Sequence, residues 1–122
     1  MNFNDAYWAR ISDADFTPTT FDEAYALIVY KMTQKYSSAD IFLFTIPNVG
    51  SRNLTSIANE NIAIKAIAKH FGCGLVDIAS TTLSSSYTTY TSDGIHPTAS
   101  GMDIMSDVFT AALYNFYVTN AN

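Results

Sequence analysis

From Pro18 onward the apolar positions fall into patterns that separate cleanly. Thr20 can cap a helix, and Glu23 can complete a capping box with it. Phe21, Tyr25, Ile28 and Met32 then recur at steps of four, three and four, which predicts a helix over residues 20 to 36 with these side chains on its apolar face. Ser37-Ser38 ends it. Ile41-Phe42-Leu43-Phe44-Thr45-Ile46 is a continuous apolar run closed by Pro47-Asn48-Val49-Gly50, the pattern of a strand buried on both faces. A second helix is expected over residues 54 to 71, with Ile57, Ile64, Ala68 and Phe71 on one face and Gly72 as its C-terminal cap. Leu75-Val76-Asp77-Ile78 reads as a second short strand with a carboxylate inside it. Residues 80 to 92 are almost all Ser, Thr and Tyr, a loop of functional length. A closing helix over residues 98 to 117 carries Ile104, Val108, Ala112 and Phe116 on one face.

Helices alternating with short apolar strands describe an α/β chain with a parallel sheet. Two strands among three helices leave an apolar edge open to water, so the chain reads as part of a larger, doubly wound (flavodoxin-like) sheet. Its 122 residues suit a single domain, and 48% apolar content with 14% aromatic residues is enough for a core. Six Lys and Arg against eleven Asp and Glu give a net charge of −5 with no basic run, which argues against nucleic acid or an anionic lipid surface as partner. Cys73 is the only cysteine, so no internal disulfide can form, and a small buried residue at a helix end is its ordinary role. The apolar runs are far shorter than the roughly 18 residues of a membrane span, and the first residues lack the basic and apolar regions of a signal peptide. Asn53-Leu54-Thr55 fits the glycosylation sequon, a pattern too common to carry weight.

Chemistry is concentrated in Asp93-Gly94-Ile95-His96-Pro97-Thr98, between the polar loop and the closing helix. A carboxylate three residues ahead of a histidine can accept the Nδ1 proton, fix the tautomer and leave Nε2 free as a general base. The same residues also suit a turn at Asp-Gly and a histidine beside a helix start.

With the strand order in place, these residues resemble the SGNH hydrolase family, the GDSL esterases and lipases. Asp93-Gly94-Ile95-His96-Pro97 followed by Gly101 looks like that family's last block, and residues 41 to 78 are similar to the C-terminal half of its domain. Asn4-Asp5 sits where its Gly-x-Asn-Asp block would fall, with Asn2 in place of the glycine. The resemblance covers the chain but only the second half of the family's domain, so the N-terminal strands are expected to be missing. It implies His96 as general base, Asp93 as its orienting acid and Asn4 as a side-chain donor to the oxyanion. No serine in the chain follows Gly-Asp, and Ser51, after Gly50, lies in the wrong element to replace that nucleophile.

The resemblance therefore implies the C-terminal segment of a serine ester hydrolase, acting on an ester such as an acylated carbohydrate or lipid, with its nucleophile supplied by another segment. The alternative is a non-catalytic remnant of the fold kept as an assembly or binding module. Both expect self-association or a complementing N-terminal half. Tyr87, Tyr90 and Trp8 could line the substrate cleft. A metal site on Asp93, His96 and His70 competes weakly, because His70 in the last turn of a helix suits the helix dipole, and no cofactor is implied. A receiver-like or flavodoxin-like domain is a weaker rival still, since no Gly-rich phosphate loop is present. Sparse lysine with abundant Ser, Thr, Tyr and Asn slightly favours an extracellular or cell-surface setting, without fixing the compartment.

Overall fold

A computed structural model describes residues 2–119. The chain opens with α1 (Asp5–Ile11) and α2 (Phe21–Lys35), enters β1 (Phe42–Phe44), and crosses through α3 (Leu54–Phe71) to β2 (Gly74–Val76). A 3-10 turn (Ile78–Ser80) and two single-turn helices, α4 (Thr82–Ser85) and α5 (Tyr87–Tyr90), lead to the closing helix α6 (Ala99–Thr119). The two strands pair in parallel, Leu43 opposite Leu75 and Phe44 opposite Val76. The protein is thus mixed α/β, with a two-stranded parallel sheet among the described residues.

Helices cover both faces of the sheet because its side chains alternate. Leu43 and Leu75 point into a core built with Tyr7, Ile11, Ala26, Val29, Ala63, Ile64 and Ile67 from α1, α2 and α3. Val76 and Phe42 point the other way, against Ile104, Met105, Val108 and Ala112 of α6 and Leu83 of α4. The Phe42 ring lies over Gly74, where an added Cβ would come within 2.5 Å of it.

The expected helix starts hold. Thr20 accepts from the Glu23 N–H at 3.3 Å, and Glu23 in turn accepts from the Thr19 N–H and hydroxyl at 3.3 and 3.1 Å. The box therefore closes one residue upstream of the cap. Glu23 is nevertheless buried, because Arg10 of α1 reaches its second oxygen at 3.2 Å and pins the two helices together. Gly72 caps α3 in the left-handed region at φ 68.

The buried side of α2 differs from the one its periodicity predicts. Glu23, Ala26 and Val29 face the core, while Phe21, Ile28 and Met32 are 42, 59 and 40% exposed and only Tyr25 packs inward. The contacts with α1 and α3 set this rotation, and they lie roughly one residue around the helix from the apolar stripe. Two further expectations are corrected. Residues 5 to 11 form a helix the periodicity did not single out, and the polar stretch 80 to 92 is largely short helix, folded around Leu83, which is 2% exposed.

Beyond β1 the chain is held by a side chain that imitates a neighbouring strand. Asn61, on α3, accepts from the Ile46 N–H at 2.7 Å and donates to the Ile46 carbonyl at 2.8 Å. Asn61→Leu strands both backbone groups and is expected to cost about 2 to 3 kcal/mol. Chemical denaturation measures it, and an unchanged midpoint would show that the clamp is dispensable.

Candidate functional site

Where the two strands end, a polar network joins them. Thr45 donates to Asp77 Oδ1 at 2.9 Å and accepts from the Ala79 N–H at 2.9 Å; Ser80 donates to Asp77 Oδ2 at 2.7 Å, with Lys65 Nζ 3.6 Å away. Burial pushes the Asp77 carboxyl up, but the Ser80 and Thr45 hydroxyls and the Lys65 charge outweigh it and hold it below its ordinary value. The stability this carboxylate contributes is complete above the unfolded carboxyl pKa of about 3.9 and is lost as pH falls through the lower folded value. Asp77 thereby anchors the turn from which the segment 78 to 97 departs.

That segment returns on itself. Thr91 and Pro97 form an isolated antiparallel bridge, and the Ser92 N–H donates to the His96 carbonyl at 2.9 Å. The tip between them needs a residue at φ 85, and Gly94 supplies it without a Cβ penalty. Inside the tip Asp93 does three things at once. Its Oδ1 accepts from the Ile95 N–H at 2.9 Å and the His96 N–H at 2.7 Å, and its Oδ2 lies 2.6 Å from His96 Nδ1.

The electrostatics follow from that geometry. The His96 backbone N–H, then the His96 ring and the Ile95 N–H, hold the Asp93 carboxyl well below the usual carboxylate range. An ionised carboxylate can only accept, so His96 Nδ1 must donate, and in the neutral ring the lone pair then lies on Nε2. The His96 side chain is 76% exposed, and among the described residues its Nε2 has no hydrogen-bond partner. The arrangement can orient a base toward an incoming group.

The tip is fixed to the sheet by the segment leaving β1. The Gly50 N–H donates to the Gly94 carbonyl at 2.9 Å, and the Asn48 N–H donates to the buried Ser84 hydroxyl at 2.9 Å. A side chain built on Gly50 would touch the Tyr87 ring at 3.6 Å, so Tyr87 stands beside the tip. Thr91 secures the same corner by donating to the Tyr87 carbonyl and accepting from the Gly94 N–H at 3.1 Å. Gly50, Ser84 and Thr91 were not singled out from sequence; Gly50 carried a signal only as the stop after a strand.

The other expected site residues go elsewhere. Tyr90 packs in the α6 core, and its carbonyl accepts from the Thr98 N–H at 2.9 Å. Asn4 is the N-cap of α1, its Oδ1 taken by the Tyr7 N–H at 3.0 Å, and among the described residues no hydrogen bond links it to the 91 to 97 tip. Trp8 stacks flat on His70, ring centroids 3.9 Å apart and planes at 7°, with Phe71 edge-on. His70 lies in the last turn of α3, just before β2 begins, whereas the tip hangs from the segment before α3. An 18-residue helix spans roughly 27 Å, so Trp8 and His70 stand toward the opposite end of the sheet from His96.

That placement separates His70 from Asp93 and His96. Among the described residues no group of three His, Cys, Asp or Glu side chains is placed to hold a metal ion, and no helix is long and apolar enough to cross a membrane. Trp8 is the chain's one tryptophan, so the stack has a spectroscopic handle. His70→Ala is expected to red-shift its emission by opening one ring face to water, and an unchanged spectrum would show that the stack does not persist in solution.

No protein-family model, curated protein or solved structure matches this chain.

Proposed function

We propose that this chain supplies the general base and its orienting acid, His96 and Asp93, to a serine ester hydrolase of the SGNH (GDSL) type. The observation that carries the reading is the 2.6 Å contact between Asp93 Oδ2 and His96 Nδ1, with the other carboxylate oxygen held by two backbone N–H groups. A serine hydroxyl attacks an ester only as its proton is taken, and the imidazolium that forms is stabilised by the carboxylate behind it. In this reading His96 Nε2 takes the proton during attack and returns it to the leaving alkoxide, while an acyl-serine forms and is then hydrolysed. The nucleophile comes from a Gly-Asp-Ser segment outside these residues, and the substrate is an ester such as an acylated carbohydrate or lipid. Asn4 keeps a side-chain N–H pair free to serve the oxyanion, since only its oxygen is used in capping.

A second reading, an assembly module without catalysis, draws support from the solvent-open Nε2, which faces no hydroxyl among the described residues. One experiment separates them. The chain is incubated with a fluorophosphonate probe and with p-nitrophenyl acetate, alone and with a polypeptide carrying the Gly-Asp-Ser strand. The hydrolase reading expects labelling of the added serine and turnover that vanish with His96→Ala. Silence in every combination sinks it, and labelling of this chain alone would place the nucleophile within it.

A further inference from the structure

We infer that Glu60 is a positioning residue for His96, acting through Arg52 and Gly50; its catalytic meaning rests on the hydrolase reading proposed above. The segment between β1 and α3 delivers the Gly50 N–H to the Gly94 carbonyl, yet it forms no helix or strand of its own. Its place must therefore come from side chains. Two neighbouring residues of α3 supply them. Asn61 takes both backbone groups of Ile46, at the start of the segment. Glu60 takes Arg52, at its end: the Nη2 group donates to the two carboxylate oxygens at 2.7 and 2.9 Å. The Arg52 N–H in turn donates to the Val49 carbonyl at 3.3 Å, so the turn that contains Gly50 closes on the residue Glu60 holds.

The direction of control follows from what else grips this turn. Asn48 is fixed to Ser84. Among the described residues, the stretch from Gly50 to Arg52 is bonded to other elements only at Gly94 and Glu60. Gly94 belongs to the tip itself. Without Glu60 the turn is held by the tip instead of holding it. Exposure agrees, since the Glu60 side chain stands on a long helix and is 15% exposed, against 43% for Arg52 on its irregular segment. The carboxylate is the fixed partner, and the arginine brings the turn to it. One partly exposed pair adds little to global stability, so its effect is local.

Loss of Glu60 therefore displaces the imidazole without altering it. The contacts of Asp93 with Ile95 and His96 lie inside the tip and persist. What changes is the distance from Nε2 to the serine hydroxyl, and a misplacement of about 1 Å costs roughly 100-fold in rate.

The test compares the natural chain with Glu60→Ala and Arg52→Gln, each checked for unchanged far-ultraviolet circular dichroism. On the chain alone, hydrogen exchange is read at the Gly50 amide and at the Gly74 amide, which bonds Ile41 inside the sheet. Each variant is expected to lose about tenfold in protection at Gly50 with Gly74 unchanged. In the enzyme completed by the Gly-Asp-Ser polypeptide, kcat on p-nitrophenyl acetate is expected to fall about 10- to 100-fold at unchanged KM. Should Glu60→Ala fail to fold, Arg52→Gln alone carries the test, because Arg52 is the more exposed end of the pair. Natural protection at Gly50 in a folded variant, equal losses at Gly50 and Gly74, or natural turnover where His96→Ala abolishes it each overturns the positioning role. No turnover from the natural chain in any combination sinks the hydrolase reading instead, and exchange at Gly50 then decides whether Glu60 sets the tip.

Discussion

Asp93→Asn is expected to lower ester turnover of the completed enzyme about 10⁴-fold while leaving the tip folded. The asparagine oxygen can still accept from the Ile95 and His96 N–H groups, so the backbone turn survives. What changes is the group facing Nδ1 at 2.6 Å: an amide NH₂ in place of an oxygen favours the tautomer with its proton on Nε2, the wrong one for a base. His96→Ala removes the base itself and is expected to lose as much. The Asp93 carboxyl is held well below the usual carboxylate range, so it stays ionised and able to accept from Nδ1 across the neutral range in which the assay is run. The assay is kcat/KM on p-nitrophenyl acetate, and more than a tenth of the natural rate in Asp93→Asn would remove the orienting role.

Gly101→Ala reverses what helix propensity alone forecasts. In an open helix that exchange gains about 1 kcal/mol. At this position an added Cβ runs into the Tyr90 carbonyl oxygen and comes within 3.1 Å of Pro97 Cβ and 3.2 Å of Leu83 Cδ1. The helix must move, and overpacking of this kind costs about 1 to 3 kcal/mol even before the lost propensity gain is counted. Gly101→Val enlarges the clash and is expected to exceed 3 kcal/mol, a large part of the ~5 to 15 kcal/mol total of a domain this size. The damage reaches the candidate site, because the displaced Tyr90 carbonyl is the acceptor for Thr98, directly after Pro97. Urea denaturation of both variants measures the loss. An alanine variant as stable as the natural chain would show that α6 does not approach so closely.

How far the sequence revealed this structure differs from element to element. Helix spans were legible where end signals are local: Thr20 with Glu23, and Gly72 after Phe71, act within a few residues of themselves. Strand positions were legible to within two residues because a continuous apolar run has few other uses. The buried side of α2 was hidden, since periodicity finds an apolar stripe and only packing against α1 and α3 decides which stripe is covered. The short helices between residues 82 and 90 were hidden too. Ser, Thr and Tyr have little helix preference, and burial of Leu83 holds those turns. In the site, Asp93 and His96 were readable because their relation is a matter of three residues, whereas Gly50 meets Gly94, and Asn48 meets Ser84, across more than thirty. Trp8 stands close to Asn4-Asp5 in sequence, whereas in space it stacks on His70 of α3.

All three hydrogen bonds that shape the Asp93 carboxylate span only two or three residues. The acid and base are therefore a portable unit, assembled within one turn rather than by the meeting of distant elements. Geometry and address have been separated in this molecule: the turn prepares the imidazole, and the Gly50 amide, with the Thr91 hydroxyl and the Tyr90 carbonyl, tells it where to stand.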